Sequence, residues 1–398
     1  MKILLSHDYY RSNAPSGEDA VFKNECELLE KNGNEIFRYE RFNDDIDEST
    51  LLKRVTLARE SVWSDKTYED VSSLLHRIRP DIAHFHNTFP LISPSAYAAC
   101  QDNQVPVVQT LHNFRLICAG GMLMRDGRPC EDCVGTSLLP ALLHRCYRGS
   151  ITATSALVWM LGSNRFRGTY KTLVNRYIAL TNFSAGRLKA GGIPEGKLIV
   201  KANFLPDAPF AGRGDANYAV YAGRLGEEKG VRNLITAWKY VNDFPLKILG
   251  GGPLRKELEE QARRNGLQIN FLGFQPREEV LNIIGQATLQ IIPSECYEGF
   301  PMVVLEAFAC GTPLVASRIG SLDEIVVEGE TGVKFEPGDP LDLAMKINNL
   351  RSDRERLKVM RQNARDLFDK KYAPDRNYSE LIAIYHSAIE DFRSALQP

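Results

Sequence analysis

Short apolar runs alternate with amphipathic stretches along most of the chain. Runs at residues 3–6, 36–39, 82–86, 107–111, 177–180 and 198–201 read as strands. Between the first two, residues 18–31 put Val21, Phe22, Leu28 and Leu29 on a helical face. Gly33 follows where a left-handed C-terminal residue is wanted. A turn-rich stretch at residues 203–214 interrupts the series and reads as a linker. A second series then begins, with strands at 220–223, 246–249, 269–272, 289–292, 314–316 and 333–335. Strands alternating with helices predict parallel α/β architecture. Two such series predict two Rossmann-like domains, 1–205 and 206–371, facing each other across a deep cleft. Ligands are expected at the carboxyl ends of the strands. Residues 372–398 read as one helix, with Leu381, Ile384, Tyr385, Ala388 and Ile389 at helical spacing. This helix is expected to pack back toward the N-terminal domain.

Composition narrows the function classes. The chain has 398 residues, 43% hydrophobic and 25% charged, as in soluble globular proteins. Its 49 basic and 50 acidic side chains leave a net charge of -1, which argues against a nucleic-acid partner. Eight cysteines are too few for a disulfide scaffold. Only Ile3, Leu4 and Leu5 precede polar residues at the N-terminus, so this segment reads as a strand and not as a signal peptide. The most apolar window, 151–161, contains Thr152, Thr154 and Ser155 and falls short of the ~20 residues a membrane span needs. A cytoplasmic protein with reduced thiols is expected.

Charge is unevenly spread. Residues 1–132 carry 15 basic and 21 acidic side chains, or -6, whereas residues 133–194 have no Asp or Glu. That segment holds Arg145, Arg148, Arg165, Arg167, Lys171, Arg176, Arg187 and Lys189, beside the apolar run Val158-Trp159-Met160-Leu161. Such a segment suits an anionic membrane surface, here the inner face of the plasma membrane. A partly buried helical region with a solvated basic face would give the same pattern.

The phosphate-binding signals decide more. The residues after the first strand, from His7 to Gly17, lack G-x-G-x-x-G, and Gly250-Gly251-Gly252-Pro253-Leu254-Arg255 has Arg where a third glycine belongs. No P-loop is present, so dinucleotide and Walker-type sites are poor readings. Arg224 and Lys229 instead lie five residues apart on a loop flanked by Gly223, Gly226 and Gly230, placed to clamp a diphosphate. An exposed turn before a helix is the plainer reading of that stretch alone. Further on, a strand ends at Ile292 and a helix is expected to begin near Pro301. Its N-terminus offers N–H groups and positive dipole to a phosphate. Glu298 precedes that helix and Glu306 lies along it, both able to bind sugar hydroxyls.

Glu298 and Glu306, with Gly299-Phe300-Pro301 between them, resemble the E-x7-E motif of retaining family-4 glycosyltransferases of the GT-B fold. Arg224 and Lys229 are similar to that family's phosphate clamp. The N-terminal half resembles a bacterial exopolysaccharide subgroup in Gly17-Glu18-Asp19, Tyr39-Glu40-Arg41, Phe85-His86-Asn87-Thr88-Phe89-Pro90, Leu111-His112-Asn113-Phe114-Arg115 and Cys130-Glu131-Asp132-Cys133. The resemblance implies that Glu298 bonds the donor sugar and Glu306 the ribose. It places the backbone of Phe300, Met302 and Val303 against the sugar and diphosphate. It sets uracil against the loop Leu272-Gly273-Phe274-Gln275, and brings Gly223 and Gly17 near the diphosphate. The family's glycine pair is Ser16-Gly17 here. It also implies that His112 lies beside the sugar, with the acceptor near Asp8, Glu18 and Asn87.

The implied reaction is transfer from a nucleoside diphosphate sugar, with UDP-glucose the best expectation, to a growing glycan or lipid-linked oligosaccharide, with retention. A same-face displacement would rest on positioning and electrostatics. No metal is required in this reading. Asp45-Ile46-Asp47 matches D-x-D but sits in an Asp-rich, surface-like loop. Cys118, Cys130, Cys133 and Cys146 are spaced C-x11-C-x2-C-x12-C and read as a structural zinc site, as a set of small buried residues, or as holding one reducible disulfide. Two rival functions remain: a GT-B-type nucleotide-sugar 2-epimerase, and a non-catalytic sugar-nucleotide-binding protein.

Overall fold

A computed structural model describes residues 1–13, 16–207, 209 and 211–396, without the side chain of residue 396. Positions 14 and 15, in the loop before Gly17, and positions 208 and 210, in the predicted linker, lie outside the described residues. The chain forms two compact units. One comprises Met1–Met122, Glu131–Asn203 and Pro374–Pro398, the other Leu123–Cys130 and Phe204–Ala373.

The strands in chain order are β1 (Lys2–Tyr9), β2 (Glu35–Phe42), β3 (Ile82–Phe85), β4 (Val107–Leu111), β5 (Met124–Arg125), β6 (Arg128–Pro129), β7 (Arg176–Ala179) and β8 (Leu198–Val200). The second unit continues with β9 (Ala216–Ala222), β10 (Leu246–Leu249), β11 (Ile269–Gly273), β12 (Ala287–Ile292), β13 (Leu314–Ser317) and β14 (Gly332–Phe335). The first unit's sheet has the order β2-β1-β3-β4-β7-β8 and the second's β11-β10-β9-β12-β13-β14, while β5 and β6 form a short hairpin. All neighbours in both large sheets are parallel. Strand order reverses between β1 and β3 in one sheet and between β9 and β12 in the other, so each sheet has a switch point where adjacent loops diverge.

β1 runs past the predicted 3–6. Its pairing with β2 continues to Tyr9 opposite Phe42, which places His7 and Asp8 inside the strand. Both are fully buried, so polarity alone ended the strand too early. Helix α1 (Gly17–Lys31) starts with a capping box: Asp19 accepts the Ser16 N–H, and the Ser16 side chain accepts from Glu18. The apolar face of α1 buries Phe22, Cys26 and Leu29 against Ile3, Leu5, Ile82, Val108 and Ile178.

Helices α2 (Leu51–Val62), α3 (Asp65–Ile78) and α4 (Ser95–Asp102) follow before β4; α5 (Leu139–Leu143), α6 (Ile151–Phe166), α7 (Thr169–Thr172) and α8 (Asn182–Ala190) come later in the same unit. The window 151–161 thus forms α6, whose Leu157, Met160 and Leu161 pack with Val62, Ala119, Leu138 and Cys133 in a satellite core. The second unit holds α9 (Val231–Ala237), α10 (Arg255–Arg264), α11 (Arg277–Gln286), α12 (Met302–Ala309), α13 (Gly320–Ile325), α14 (Pro340–Ser352) and α15 (Arg354–Lys371). Its core joins Ile248, Leu289, Ile291 and Val315 of the sheet to Leu234, Leu258, Leu343 and Ile347 of the helices. The terminal α16 (Pro374–Leu396) inserts Leu381, Ile384, Tyr385 and Ala388 into the first unit's core. Each such Leu or Ile contributes about 1.5–3 kcal/mol by leaving water.

Candidate functional site

In the second unit the site is built by loops at the β9/β12 switch point. β9 ends at Ala222, and Gly223 (φ +155°) turns the chain while its N–H donates to Leu249 O at 3.0 Å. Residues Glu227–Lys229 form one 3-10 turn that ends at Gly230, φ +64°. A Cβ on Gly230 would lie 1.8 Å from the Pro293 carbonyl oxygen, so glycine is needed for the two loops to meet. The Glu295 N–H donates to Glu228 O at 3.0 Å, fastening them together.

This contact brings Lys229 to Glu298. Lys229 Nζ donates to Glu298 Oε1 at 2.5 Å, and Ser294 Oγ donates to the same oxygen at 2.6 Å. Burial works against the charge on Glu298, but the Lys229 ammonium and these hydrogen bonds outweigh it and hold the carboxyl below its ordinary range. Burial likewise opposes the Lys229 charge, and Glu298 outweighs it, raising the ammonium. Both shifts therefore favour the ionised pair. Arg224 stands apart: its guanidinium is 64% exposed, with Glu228 as its nearest acid at 3.8 Å.

Pro301 is the N-cap of α12, so the N–H groups of Met302 and Val303 occupy the positions a helix leaves without intrahelical acceptors. Phe300 buries its ring edge-on against Tyr372, with centroids 5.6 Å apart. Glu306 lies one turn into α12, and burial raises its carboxyl while Arg277 partly offsets this. The structure therefore couples Glu298 directly to Lys229, whereas the Glu306 carboxylate accepts no hydrogen bond from protein among the described residues. Gly273 (φ +72°) ends β11, and the Phe274 ring beyond it is 79% exposed. The run Gly250–Gly252, dismissed above as a failed dinucleotide fingerprint, has a packing role. A Cβ on Gly250 would sit 2.2 Å from Gly223 O, and one on Gly252 would sit 2.5 Å from Leu225 O. Three glycines directly after a strand were the signal. Ser294 and Gly230 had none beyond their position in the loops.

In the first unit the corresponding residues gather at the β1/β3 switch point. Asp8 Oδ2 accepts the Leu91 N–H at 2.8 Å, while Oδ1 is buried without a partner. Burial pushes this carboxyl up to about 7, the Leu91 hydrogen bond only partly opposing it. The Asn87 amide is engaged with backbone: Nδ2 donates to the carbonyls of Asp8 (2.7 Å) and Phe89 (3.2 Å), and Oδ1 accepts the Phe89 N–H. Glu18 accepts from Asn113 Nδ2 at 3.0 Å and from Tyr10 Oη at 3.2 Å. Gly17 opens α1 at the surface. His112 follows β4, and its Nε2 lies 3.0 Å from His86 Nδ1, the two rings stacked.

Other sequence candidates have defined surroundings. Asp47 pairs with Lys53 and accepts the Ser49 N–H, so the D-x-D match is tied down on the surface. Among the described residues, no disulfide joins any two of the eight cysteines. Cys118 Sγ and the Cys146 carbonyl oxygen both flank Gly120, at 3.7 and 3.5 Å from its virtual Cβ, and Cys146 packs on the satellite core that contains Cys133. Cys130 belongs to the hairpin segment.

The basic segment is less of a bare field than its sequence implies. Arg148 pairs with Glu48, Arg176 with Asp391, Arg187 with Glu131 and Lys189 with Glu195, all acids from outside residues 133–194. Arg165 donates to the carbonyls of Leu116 and Ile117, and Arg167 stacks on Trp63.

Residues 208–367 match the family model "Glycosyl transferases group 1". An uncharacterized glycosyltransferase of Methanocaldococcus jannaschii, MJ1178, is 37% identical over 161 residues, 40% of this chain and 45% of that protein. Glycogen synthase of Mycobacterium tuberculosis is 29% identical over 305 residues, 73% of this chain and 66% of that protein. The chain thus spans about half to two-thirds of the length of these relatives. A crystal structure of Anabaena Alr3699/HepE in complex with UDP superposes with a TM-score of 0.68 at 19% identity, covering 97% of this chain and 100% of that one. That likeness establishes the GT-B fold.

Proposed function

We propose that this chain, a GT-B-fold protein whose second unit is a glycosyl transferases group 1 domain, transfers a sugar from a nucleoside diphosphate donor with retention at the anomeric carbon. The observation that carries the proposal is the Lys229–Glu298 pair, set where the loops after β9 and β12 meet at a switch point. Arg224 and Lys229 supply cations to the leaving diphosphate, assisted by the N–H groups of Met302 and Val303 at the start of α12. Glu298, held ionised, accepts hydrogen bonds from the donor sugar's hydroxyls, and Glu306 bonds the ribose. Leu272, Gly273 and Phe274 carry the base, which we take to be uracil because the structural relative above binds UDP. Glucose is the sugar we expect. No metal is needed where two side-chain cations already face the diphosphate.

His112 acts on the sugar, and Asp8 and Glu18 on the acceptor, a growing glycan or a lipid-linked oligosaccharide. We assign the site to polysaccharide synthesis at the inner face of the plasma membrane. Support for membrane contact now comes more from apolar surface than from charge. Leu143 on α5 is 79% exposed and Phe166 on α6 is 95% exposed, with Trp159 half-exposed on α6. None of the described helices is long and apolar enough to cross a membrane. Zinc on Cys118, Cys130, Cys133 and Cys146 is a separate structural proposal, which metal analysis of the purified protein tests.

Purified protein incubated with labelled UDP-glucose and glycan acceptors separates this reading from its rivals. Acceptor-dependent labelled product is the expected result. A product epimeric at C2 formed without acceptor would favour an epimerase, and donor bound but never consumed would favour a binding protein.

A further inference from the structure

Beneath His112 lies a group of titratable side chains that the transfer reaction does not itself require. Glu25 is on α1, His84 on β3, His86 just after β3 and Lys201 just after β8. All four are at most 4% exposed. Glu25 Oε1 lies 3.0 Å from both His86 Nε2 and His84 Nδ1, and Oε2 lies 3.5 Å from Lys201 Nζ. Lys201 also donates to Asn377 Oδ1 on α16 at 2.9 Å, and His84 meets Tyr385 Oη at 2.7 Å and Thr110 Oγ1 at 2.8 Å.

Carboxylate and two histidines are also spaced as metal ligands would be. Lys201 argues otherwise, because its ammonium already faces the other oxygen of Glu25. Both His84 nitrogens are also within hydrogen-bond distance of protein hydroxyls.

The bonding pattern has a direct consequence for the protons. An ionised carboxylate only accepts, so His86 must present N–H from Nε2 to Glu25. A neutral imidazole has a single N–H, so His86 Nδ1 is then an acceptor. His112 Nε2, 3.0 Å away, must be the donor in that contact. Neutral His112 therefore carries its lone pair on Nδ1, the nitrogen with no protein partner among the described residues.

We propose that Glu25 and His86 are positioning residues that lock His112 in the Nε2–H tautomer, so that His112 offers its ligand a hydrogen-bond acceptor. The groups around His112 favour the neutral ring. Burial first, then the neighbouring His86, His7 and His84 depress its pKa well below the ordinary value, with Glu25 opposing. His86 is itself pushed down to about 4, chiefly by burial, while Glu25 is held well below the carboxylate range despite its burial because His84, His86 and Lys201 surround it. An acceptor nitrogen selects a hydroxyl-bearing ligand and repels a diphosphate oxygen. On the reading above, that ligand is the donor sugar. The tautomer itself does not depend on that reading.

The experiment is nitrogen-15 NMR of the ligand-free full chain labelled at histidine, at pH 7, with His112→Gln used to assign the ring. The expected spectrum has His112 Nε2 in the protonated, pyrrole-like range and Nδ1 in the unprotonated, pyridine-like range. Glu25→Gln, whose amide can donate where the carboxylate cannot, should shift His112 toward the Nδ1–H form with the fold intact by circular dichroism. Wild-type His112 protonated on Nδ1, or on both nitrogens, would overturn the proposal even if Glu25→Gln failed to fold. A folded Glu25→Gln with an unchanged His112 spectrum would also overturn it. Addition of UDP-glucose forms a separate arm: perturbation of Nδ1 is expected, and its absence would count against the sugar-binding role while leaving the relay standing.

Discussion

The two sheets reverse strand order in the same way but place opposite chemistry at the reversal. At β9/β12 the second unit sets out permanent charge: an exposed Arg224, and a Lys229–Glu298 pair that the surroundings keep ionised. At β1/β3 the first unit buries groups whose charge is uncertain until the surroundings decide it. Asp8 is pushed up to about 7 and His86 down to about 4, each chiefly by burial. Close approach explains the difference. In the second unit Gly223, Gly230 and Gly250 let backbone loops converge, leaving side chains to project. In the first, Asp8 lies within a strand covered on both faces, so desolvation dominates its carboxyl. A fixed-charge site suits a diphosphate, whereas a site of neutral, oriented groups suits hydroxyls.

The greatest change is expected in the first unit, at Asp8. A carboxyl raised from 3.8 to about 7 keeps its proton in the folded state while the unfolded chain loses it. Its contribution to stability is fully present below about pH 4, declines as pH rises, and is gone above about pH 7. The total is roughly 4 kcal/mol at 1.36 kcal/mol per unit. Asp8→Asn should abolish that slope, making the variant more stable than wild type at pH 8 but not at pH 4. Urea titrations at the two pH values check this, and parallel curves for both proteins would contradict it.

Next comes a contrast inside the second unit. Lys229→Ala leaves Glu298 largely buried beside Ser294 alone, and partial solvent access reduces the usual penalty to about 2 kcal/mol of unfolding free energy. Arg224→Ala, at an exposed position, should stay within about 0.5 kcal/mol of wild type. Equal losses by chemical denaturation would mean that the pair is not the structural hinge of the site.

The two motif carboxylates sharpen the picture at the level of binding. Glu306→Gln should weaken UDP and UDP-glucose alike by about tenfold, or 1.4 kcal/mol. Glu298→Gln should slow transfer while leaving affinity for free UDP within about twofold. Identical effects on UDP would contradict the division of roles.

The smallest effect concerns the surface of α5 and α6. Replacing Leu143 and Phe166 with Ser should reduce sedimentation with anionic liposomes several-fold, with weak dependence on salt, because half of the segment's cations are already paired. Binding abolished by moderate salt in the wild type would return the weight to the basic residues.

Much of this was legible before the structure. Alternating apolar runs marked the strands of both large sheets, most strongly the central parallel strands, which are buried on both faces. Arg224, Lys229, Glu298 and Glu306 stood out as candidates because their spacing resembles a known motif. The ends of β1 were not, because His7 and Asp8 are polar residues buried within a strand. Nor were the salt bridges of the basic segment, whose acids come from Glu48, Glu131, Glu195 and Asp391, distant or outside the window. The Glu25–His86–His112 chain was hidden for the same reason: three elements separated along the sequence by 61 and 26 residues converge only in the folded core.

Calorimetric titration of UDP into the wild-type chain, Arg224→Ala and Lys229→Ala shows whether these loops hold the donor diphosphate. Each substitution is expected to weaken UDP binding at least tenfold, about 1.4 kcal/mol, with the fold intact. Unchanged UDP affinity in both variants would contradict the assignment of these loops to the donor diphosphate.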